Sequence, residues 1–186
     1  MIIPKPWPAQ LRTLWNDPDR YKDEYFSEVD EQTYYVEDGA TCDETGAYTI
    51  TGRIDDVLNV SGHRLSTVEI ENALQGTEGV AEAAVIGRSH DTKGEEPVGF
   101  VILEQGYEWS EDMEQDLIDH VGQEAGNISK PARVLNVQEL PKTQSGKIMR
   151  RILENIAEGE ELGDTSTLAD PSSAERIEEQ VQQQMQ

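Results

Sequence analysis

Apolar residues keep sustained helical and strand spacing from about residue 55 onward, so the part of this chain able to build its own core begins near Asp55. Ser66 followed by Glu69 fits a capping box, and Ile70, Ala73 and Leu74 then line one helical face, with Gly76 and Gly79 closing it. Strands are expected over 81–86 and 98–103, joined by the polar stretch GRSHDTKGEE. A second helix is expected from Ser110, with Met113, Leu117, Ile118 and Val121 as its buried stripe. Residues 132–137 read as a further strand and 139–146 as a loop. Residues 147–157 read as a helix in which Ile148, Ile152 and Ile156 recur every four positions. Counting a hairpin ahead of it, the order β-hairpin, α, β, β, α, β, α predicts a small α+β domain with its sheet covered by helices.

The first 54 residues lack that self-sufficiency. Trp7, Leu11, Leu14, Trp15, Tyr21, Tyr25 and Phe26 crowd a segment broken by Pro4, Pro6, Pro8 and Pro18, which favours irregular or extended backbone. These side chains are expected to pack on something outside the segment. Residues 33–36 and 48–50 read as two strands around a turn at 43–46, a hairpin too small to stand alone. The last part, 161–186, is acidic and glutamine-rich, and AERIEEQVQQQMQ is expected to fray or to wait for a partner. The expected organisation is therefore 1–54, 55–160 and 161–186.

Charge narrows the function classes. With 38 acidic and 15 basic residues the net charge is −23, which opposes binding to nucleic acid or an anionic membrane. Only Lys5, Lys22, Lys93, Lys130, Lys142 and Lys147 are lysines. An Asp- and Glu-rich, Lys-poor surface suits a very salty cytoplasm, where self-repulsion is screened, and predicts a halophilic source. One cysteine, Cys42, excludes an internal disulfide framework and a Cys-rich zinc site. There is no apolar run of membrane-spanning length, and MIIPKPWPAQ lacks the pattern of a secretory signal. The expected location is cytoplasmic.

Two clusters stand out chemically. PKTQSGKIMRR, residues 141–151, holds Lys142, Lys147, Arg150 and Arg151 and no acidic residue. A lysine after Ser145-Gly146 can bring a mobile point charge to phosphate or carboxylate oxygens. Equally, the four cations can simply pair with the acidic remainder. The glycine that a Walker A loop needs five residues before Gly146 is absent, and neither Ser61 nor Ser145 sits in a GxSxG elbow. In TGRIDDVLNVSGHRL, residues 51–65, Gly52 and Gly62 permit close backbone approach, and Arg53 and Arg64 offer forked donors. Asp55 and Asp56 can bind ribose hydroxyls, pair with those arginines or mark a linker, and His63 has no second ligand near it for a metal.

At these clusters a family resemblance becomes specific. TGRIDDVLNVSGHRLSTVEIENAL and LPKTQSGKIMRRIL resemble the two signature stretches in the C-terminal domain of the acyl-adenylate-forming enzymes, and most of all the AMP-forming acetate–CoA ligase family. WPAQLRTLWNDPDRY, AEAAVIGRSHDTKGE and ELGDTSTLADPS extend the likeness from about residue 7 to 171. The resemblance implies a mobile lid with a small mixed or antiparallel sheet covered by helices, preceded by a β-hairpin remnant of a large N-terminal domain. It implies acetyl-CoA formation from acetate, ATP with Mg2+, and CoA, through acetyl-adenylate. It implies that Lys147 reaches the carboxylate and α-phosphate, that Asp38 and Arg53 hold the ribose, and that Arg64 lies near the ATP phosphates. Ser61 and Gly62 would flank the CoA channel, and Asp55 would be the hinge.

The missing N-terminal adenylation domain, in cis or in trans, would supply the acetate pocket and most ligands for Mg2+, leaving this chain inactive alone. A lysine acetyltransferase and deacetylase acting on Lys147 are implied as regulators. Three positions depart from the family pattern: Glu37 replaces a glycine before Asp38, Gly122 an arginine aimed at a CoA phosphate, and Gln144 an arginine before Ser145. Four alternatives stay open: a truncated or mis-started piece of a full synthetase, half of a split enzyme, a short acyl substrate such as propionate, and a non-catalytic binding or regulatory domain.

Overall fold

Two compact units make up the chain. The computed structural model describes residues 1–54 and 56–184, and the chain divides into Met1–Asp55 and Asp56–Gln186. Asp55, the expected hinge, lies outside the described residues.

In the first unit, β1 (Ile2–Ile3) pairs antiparallel with β2 (Tyr34–Tyr35), and α1 (Pro18–Phe26) lies between them in sequence. A helix in this proline-rich segment was not expected. Asp17 caps it by accepting from the Arg20 amide at 3.2 Å, and Pro18 stands in the first turn, where its missing N–H costs nothing. The hairpin exists, but its first strand is β3 (Asp38–Cys42), which pairs with β4 (Tyr48–Arg53). The expected strand at 33–36 goes to β1 instead, because the chain reverses at Glu37, whose φ is 63°. The turn forms as expected: Asp43 accepts from the Thr45 and Ala47 amides, and Gly46 takes φ 85°. The aromatic residues expected to pack elsewhere gather around Tyr34. Tyr25 stacks on it at 4.9 Å between centroids, while Trp7 and Phe26 meet it edge-on. Trp15 alone stays 90 % exposed.

The second unit holds the α+β core. β5 (Val57–Val60) and β6 (His63–Ser66) form a hairpin, followed by α2 (Thr67–Gln75). β7 (Val80–His90) and β8 (Gly94–Leu103) form a long hairpin, then come α3 (Glu111–Glu124) and β9 (Arg133–Asn136). The sheet order is β6-β5-β8-β7, and β9 joins β8 in parallel. Alternation along β7 sends Ala83 and Val85 to one face and Ala84 and Ile86 to the other. The first face packs Ile70 and Leu74 of α2 and Leu117 and Val121 of α3. The second packs Ile152 and Ile156 of α4 (Arg150–Glu158) and Ile177 and Val181 of α5 (Ser172–Gln184). This is the expected sheet covered by helices.

Three local expectations fail here. The polar stretch 87–96 is mostly strand, because Glu96 is buried and held by Arg88 and Lys93 across the hairpin end. Lys147 does not open α4, since bridges of Lys142 to Ile148 and Thr143 to Leu168 hold the chain extended until Arg150. The C-terminal segment does not fray as far as Gln184: α5 buries Ser173, Ala174, Ile177 and Val181, the last three spaced one helical face apart within an otherwise polar sequence.

Candidate functional site

The seven residues singled out fall on both units. In the first, Asp38 and Arg53 are Cα partners in the β3–β4 ladder. The Asp38 carboxylate takes no hydrogen bond from the described residues. Arg53 donates to Glu37 at 2.7 Å, an ion pair with both side chains about one-third exposed. Glu37, the family departure, thus occupies a conformation that favours glycine and places its carboxylate on a candidate ribose contact.

In the second unit, Ser61 and Gly62 form the two-residue turn between β5 and β6, with Val60 opposite His63. Both take positive φ, 53° and 85°, the geometry of a primed hairpin turn. The Ser61 amide donates to the Lys93 carbonyl at 2.7 Å, pinning the turn to the start of β8, and the space a Gly62 side chain would take is open. Arg64, next along β6, is exposed and has no acidic partner among the described residues.

The basic segment resolves into four different fates. Lys142 pairs with Glu82. Arg150 donates to both oxygens of buried Glu71, at 2.8 and 3.0 Å, and lies 3.4 Å from Asp56. The Glu71 carboxylate also accepts the Val85 amide at 2.9 Å, so this pair ties α4, α2 and β7 together. Glu154, one turn along α4, is pushed above the ordinary carboxylate range by burial and by the charges of Asp56 and Glu95. Arg151 donates to the carbonyls of Leu162 and Asp164. Lys147 alone is exposed with no partner for its ammonium among the described residues.

The turn that carries Lys147 is tightly specified. The Thr143 amide donates to the Lys147 carbonyl at 2.8 Å and the Gly146 amide to the Thr143 carbonyl at 2.9 Å. The Thr143 hydroxyl accepts the Lys147 amide at 3.2 Å and lies 3.0 Å from the Ser145 hydroxyl. Gly146 takes φ 84° at the tip, facing open space. Pairing with the acidic remainder therefore explains Lys142 and Arg150, while Lys147 is a rigidly mounted, uncommitted cation. Thr143 went unnoticed in the sequence, although its hydroxyl two residues before Ser145 is a turn signal.

Gly122 lies inside α3, under the stem of Lys130: a Cβ there would sit 2.1 Å from Lys130 Cε. Lys130 Nζ reaches Asp119 at 2.7 Å. Gln144 is exposed and donates to the Ala169 carbonyl at 3.4 Å. Among the described residues no cluster of three or more His, Cys, Asp or Glu could hold a metal, and no helix is long and apolar enough to cross a membrane.

Residues 69–147, from α2 to Lys147 itself, match the AMP-binding enzyme C-terminal domain. Acetyl-coenzyme A synthetase of Mycolicibacterium smegmatis is 53 % identical over 179 residues, 95 % of this chain. The chain carries the C-terminal AMP-binding domain of the acetyl-CoA synthetase family. The acetyl-CoA synthetase of Gemmatimonas aurantiaca is 50 % identical over 186 residues and 99 % of this chain. The chain spans 19 % of the first of these relatives and 28 % of the second. Among solved structures, the anthranilate CoA ligase AuaEII in complex with anthranoyl-AMP superposes with a TM-score of 0.69 and 31 % identity, over 78 % of this chain and 28 % of that one. ATP-bound MatB from Rhodopseudomonas palustris gives a TM-score of 0.67 and 26 % identity, over 77 % of this chain and 27 % of that one. The acetyl-CoA synthetase family is therefore matched along nearly the whole chain, and its C-terminal domain by both sequence and shape.

Proposed function

We propose that this chain serves an acetate–CoA ligase as the mobile lid that supplies Lys147 to acetyl-adenylate formation. The observation that carries this reading is the Lys147 turn: of four cations in the basic segment, the one at the end of the domain match is the one left exposed and unpaired. An acetate oxygen would attack the α-phosphorus of ATP and pyrophosphate would leave. The Lys147 ammonium, neutralising charge that grows on the carboxylate and phosphate oxygens, would lower that barrier. CoA thiolate would then attack the acyl carbon, AMP would leave, and Lys147 would have no further part once the lid had turned.

On this reading residues 1–54 belong to the adenylation domain and Asp55 is the hinge. Asp38 and Arg53 hold the ribose, Arg64 stands near the phosphates, and the Ser61-Gly62 turn borders the CoA channel. That turn suits the role: its backbone is pinned by Lys93, and a thioester-forming chain could pass over Gly62 without meeting a side chain. Mg2+ would neutralise the ATP phosphates, held by residues of the adenylation domain in cis or in trans. The exposed Lys147 amine is open to acetylation, which would remove the charge adenylation needs and give an acetyltransferase and deacetylase a switch. The acidic, lysine-poor composition supports a halophilic, cytoplasmic setting.

Immunodepletion tests the reading. An antibody against the second unit should remove acetate-, ATP- and CoA-dependent acetyl-CoA formation from native extract. A blot of the captured material then gives the mass that carries the activity. Activity left whole in the depleted extract overturns the assignment.

A further inference from the structure

The loop between β7 and β8 runs from Asp91 to Lys93 and is closed by the facing pair His90 and Gly94. One ring nitrogen shapes it. His90 Nδ1 accepts the Thr92 amide at 3.2 Å and the Lys93 amide at 3.3 Å, and the Thr92 hydroxyl lies 3.3 Å from the same atom. An imidazole nitrogen that accepts amides carries no proton, so this arrangement puts the proton of the neutral ring on Nε2. Nε2 faces Glu96, 3.8 Å from a carboxylate oxygen, and that carboxylate also pairs with Arg88 and Lys93. Elsewhere in the chain an aspartate does the same work: Asp30 accepts the Gln32 and Thr33 amides, at 2.8 and 2.7 Å.

This loop carries the anchor of another. The end of β5 is docked on the start of β8 at three successive residues. The Asn59 amide donates to Glu95 at 2.6 Å, Val60 faces Gly94, and the Ser61 amide donates to the Lys93 carbonyl at 2.7 Å. Gly94 takes φ 81°, and a Cβ there would sit 3.2 Å from the Asn59 carbonyl oxygen, so the two backbones need glycine to meet this closely. Lys93 is thus held at its amide by His90 and holds Ser61 by its carbonyl. We propose that His90 is a positioning residue for the Ser61-Gly62 turn, and through it for the binding of CoA. The proposal rests on the reading of that turn as the border of the CoA channel. It separates the two half-reactions, because the Lys147 turn is built from bonds at Thr143, Ser145 and Gly146 and shares none of these groups.

Amide spectra of the full chain test the coupling first. His90→Ala should shift the Ser61 and Gly62 amide signals and speed Ser61 exchange at least about tenfold, while the β7 amides stay as they were. His90→Asn offers a carbonyl oxygen to the same two amides, as Asp30 offers a carboxylate, and should restore the Ser61 signals. With an acetyl-CoA synthetase adenylation domain added, His90→Ala should raise the KM for CoA about tenfold and leave acetate-dependent pyrophosphate exchange within about twofold. Unmoved Ser61 signals in His90→Ala, or no recovery in His90→Asn, overturn the coupling. A loosened Ser61 with an unchanged KM for CoA overturns the link to CoA. If the unaltered pair forms no thioester at all, the reading of the turn fails, and Ser61 exchange still decides what His90 holds. Should His90→Ala fail to fold, the nitrogen spectrum of the unaltered His90 ring decides: a neutral imidazole with its proton on Nδ1 overturns the inference.

Discussion

Glu37, held at φ 63°, places its carboxylate 2.7 Å from the Arg53 guanidinium. Two opposed terms meet at this residue. The left-handed backbone costs a side-chain-bearing residue about 1–2 kcal/mol, and the partly exposed ion pair returns about 0–1 kcal/mol. Glu37→Ala keeps the strain and loses the pair, so it should lower the stability of the first unit. Glu37→Gly removes both, and should be within about 1 kcal/mol of the unaltered protein once glycine's extra chain entropy is included. Near-ultraviolet circular dichroism of the Tyr34 cluster reads the unfolding of this unit. Equal losses for the two variants would show that the backbone at 37 is not strained.

The Arg150–Glu71 pair makes a larger prediction. Glu71 is 8 % exposed, and Arg150→Met would leave its carboxylate with the Val85 amide as its one hydrogen-bond donor among the described residues. Breaking one side of a buried pair should cost roughly 3 kcal/mol, and adding Glu71→Leu should recover most of it. Denaturant titration of the two variants measures the difference. A loss unchanged by the second substitution would place the cost in helix packing.

Much of this was legible in the sequence, and the failures share a cause. Ile70, Leu117 and Ile152 mark their helices because each face is repeated over several turns. Lys147 was legible as an anomaly of charge. Its separation from Lys142, Arg150 and Arg151 was not, because the groups that occupy those three are Glu82 and Glu71, 60 and 79 residues away, and carbonyls of the loop after α4. The start of α4 was misplaced for the same reason: the bridge of Thr143 to Leu168 overrides local helical spacing. α5 was read as a frayed tail because its stabilising partners, Asn136 and Gln138, lie over 40 residues upstream.

Acid should loosen α5 at its N-terminal end. Asp170 accepts from Arg176, from the Ser172 hydroxyl and from the Ser172 amide, and these hold it down from 3.8 to about 2. A depressed carboxylate stabilises the fold fully above its unfolded value and loses that contribution as pH falls through the folded one. Exchange of the first α5 amides should therefore accelerate between pH 3.8 and about 2. Asp170→Asn should flatten that dependence, and an unaltered slope in the variant would assign it to another carboxylate.

Salt should stabilise the whole chain. The net charge of −23 makes self-repulsion the term that salt screens most, so the melting temperature should rise steadily up to about 2 M KCl. A flat or falling curve would count against a halophilic setting.

Lys147 is proposed to serve an adenylation reaction that needs a further domain beside this chain. The direct measurement is acetate-dependent exchange of labelled pyrophosphate into ATP, with the chain alone and with a separately expressed acetyl-CoA synthetase adenylation domain added. No exchange is expected from the chain alone, and exchange is expected on mixing. Lys147→Ala should lower that exchange about a hundredfold or more, while thioester formation from supplied acetyl-adenylate survives. Exchange on mixing that Lys147→Ala leaves intact would rule out the role proposed for Lys147.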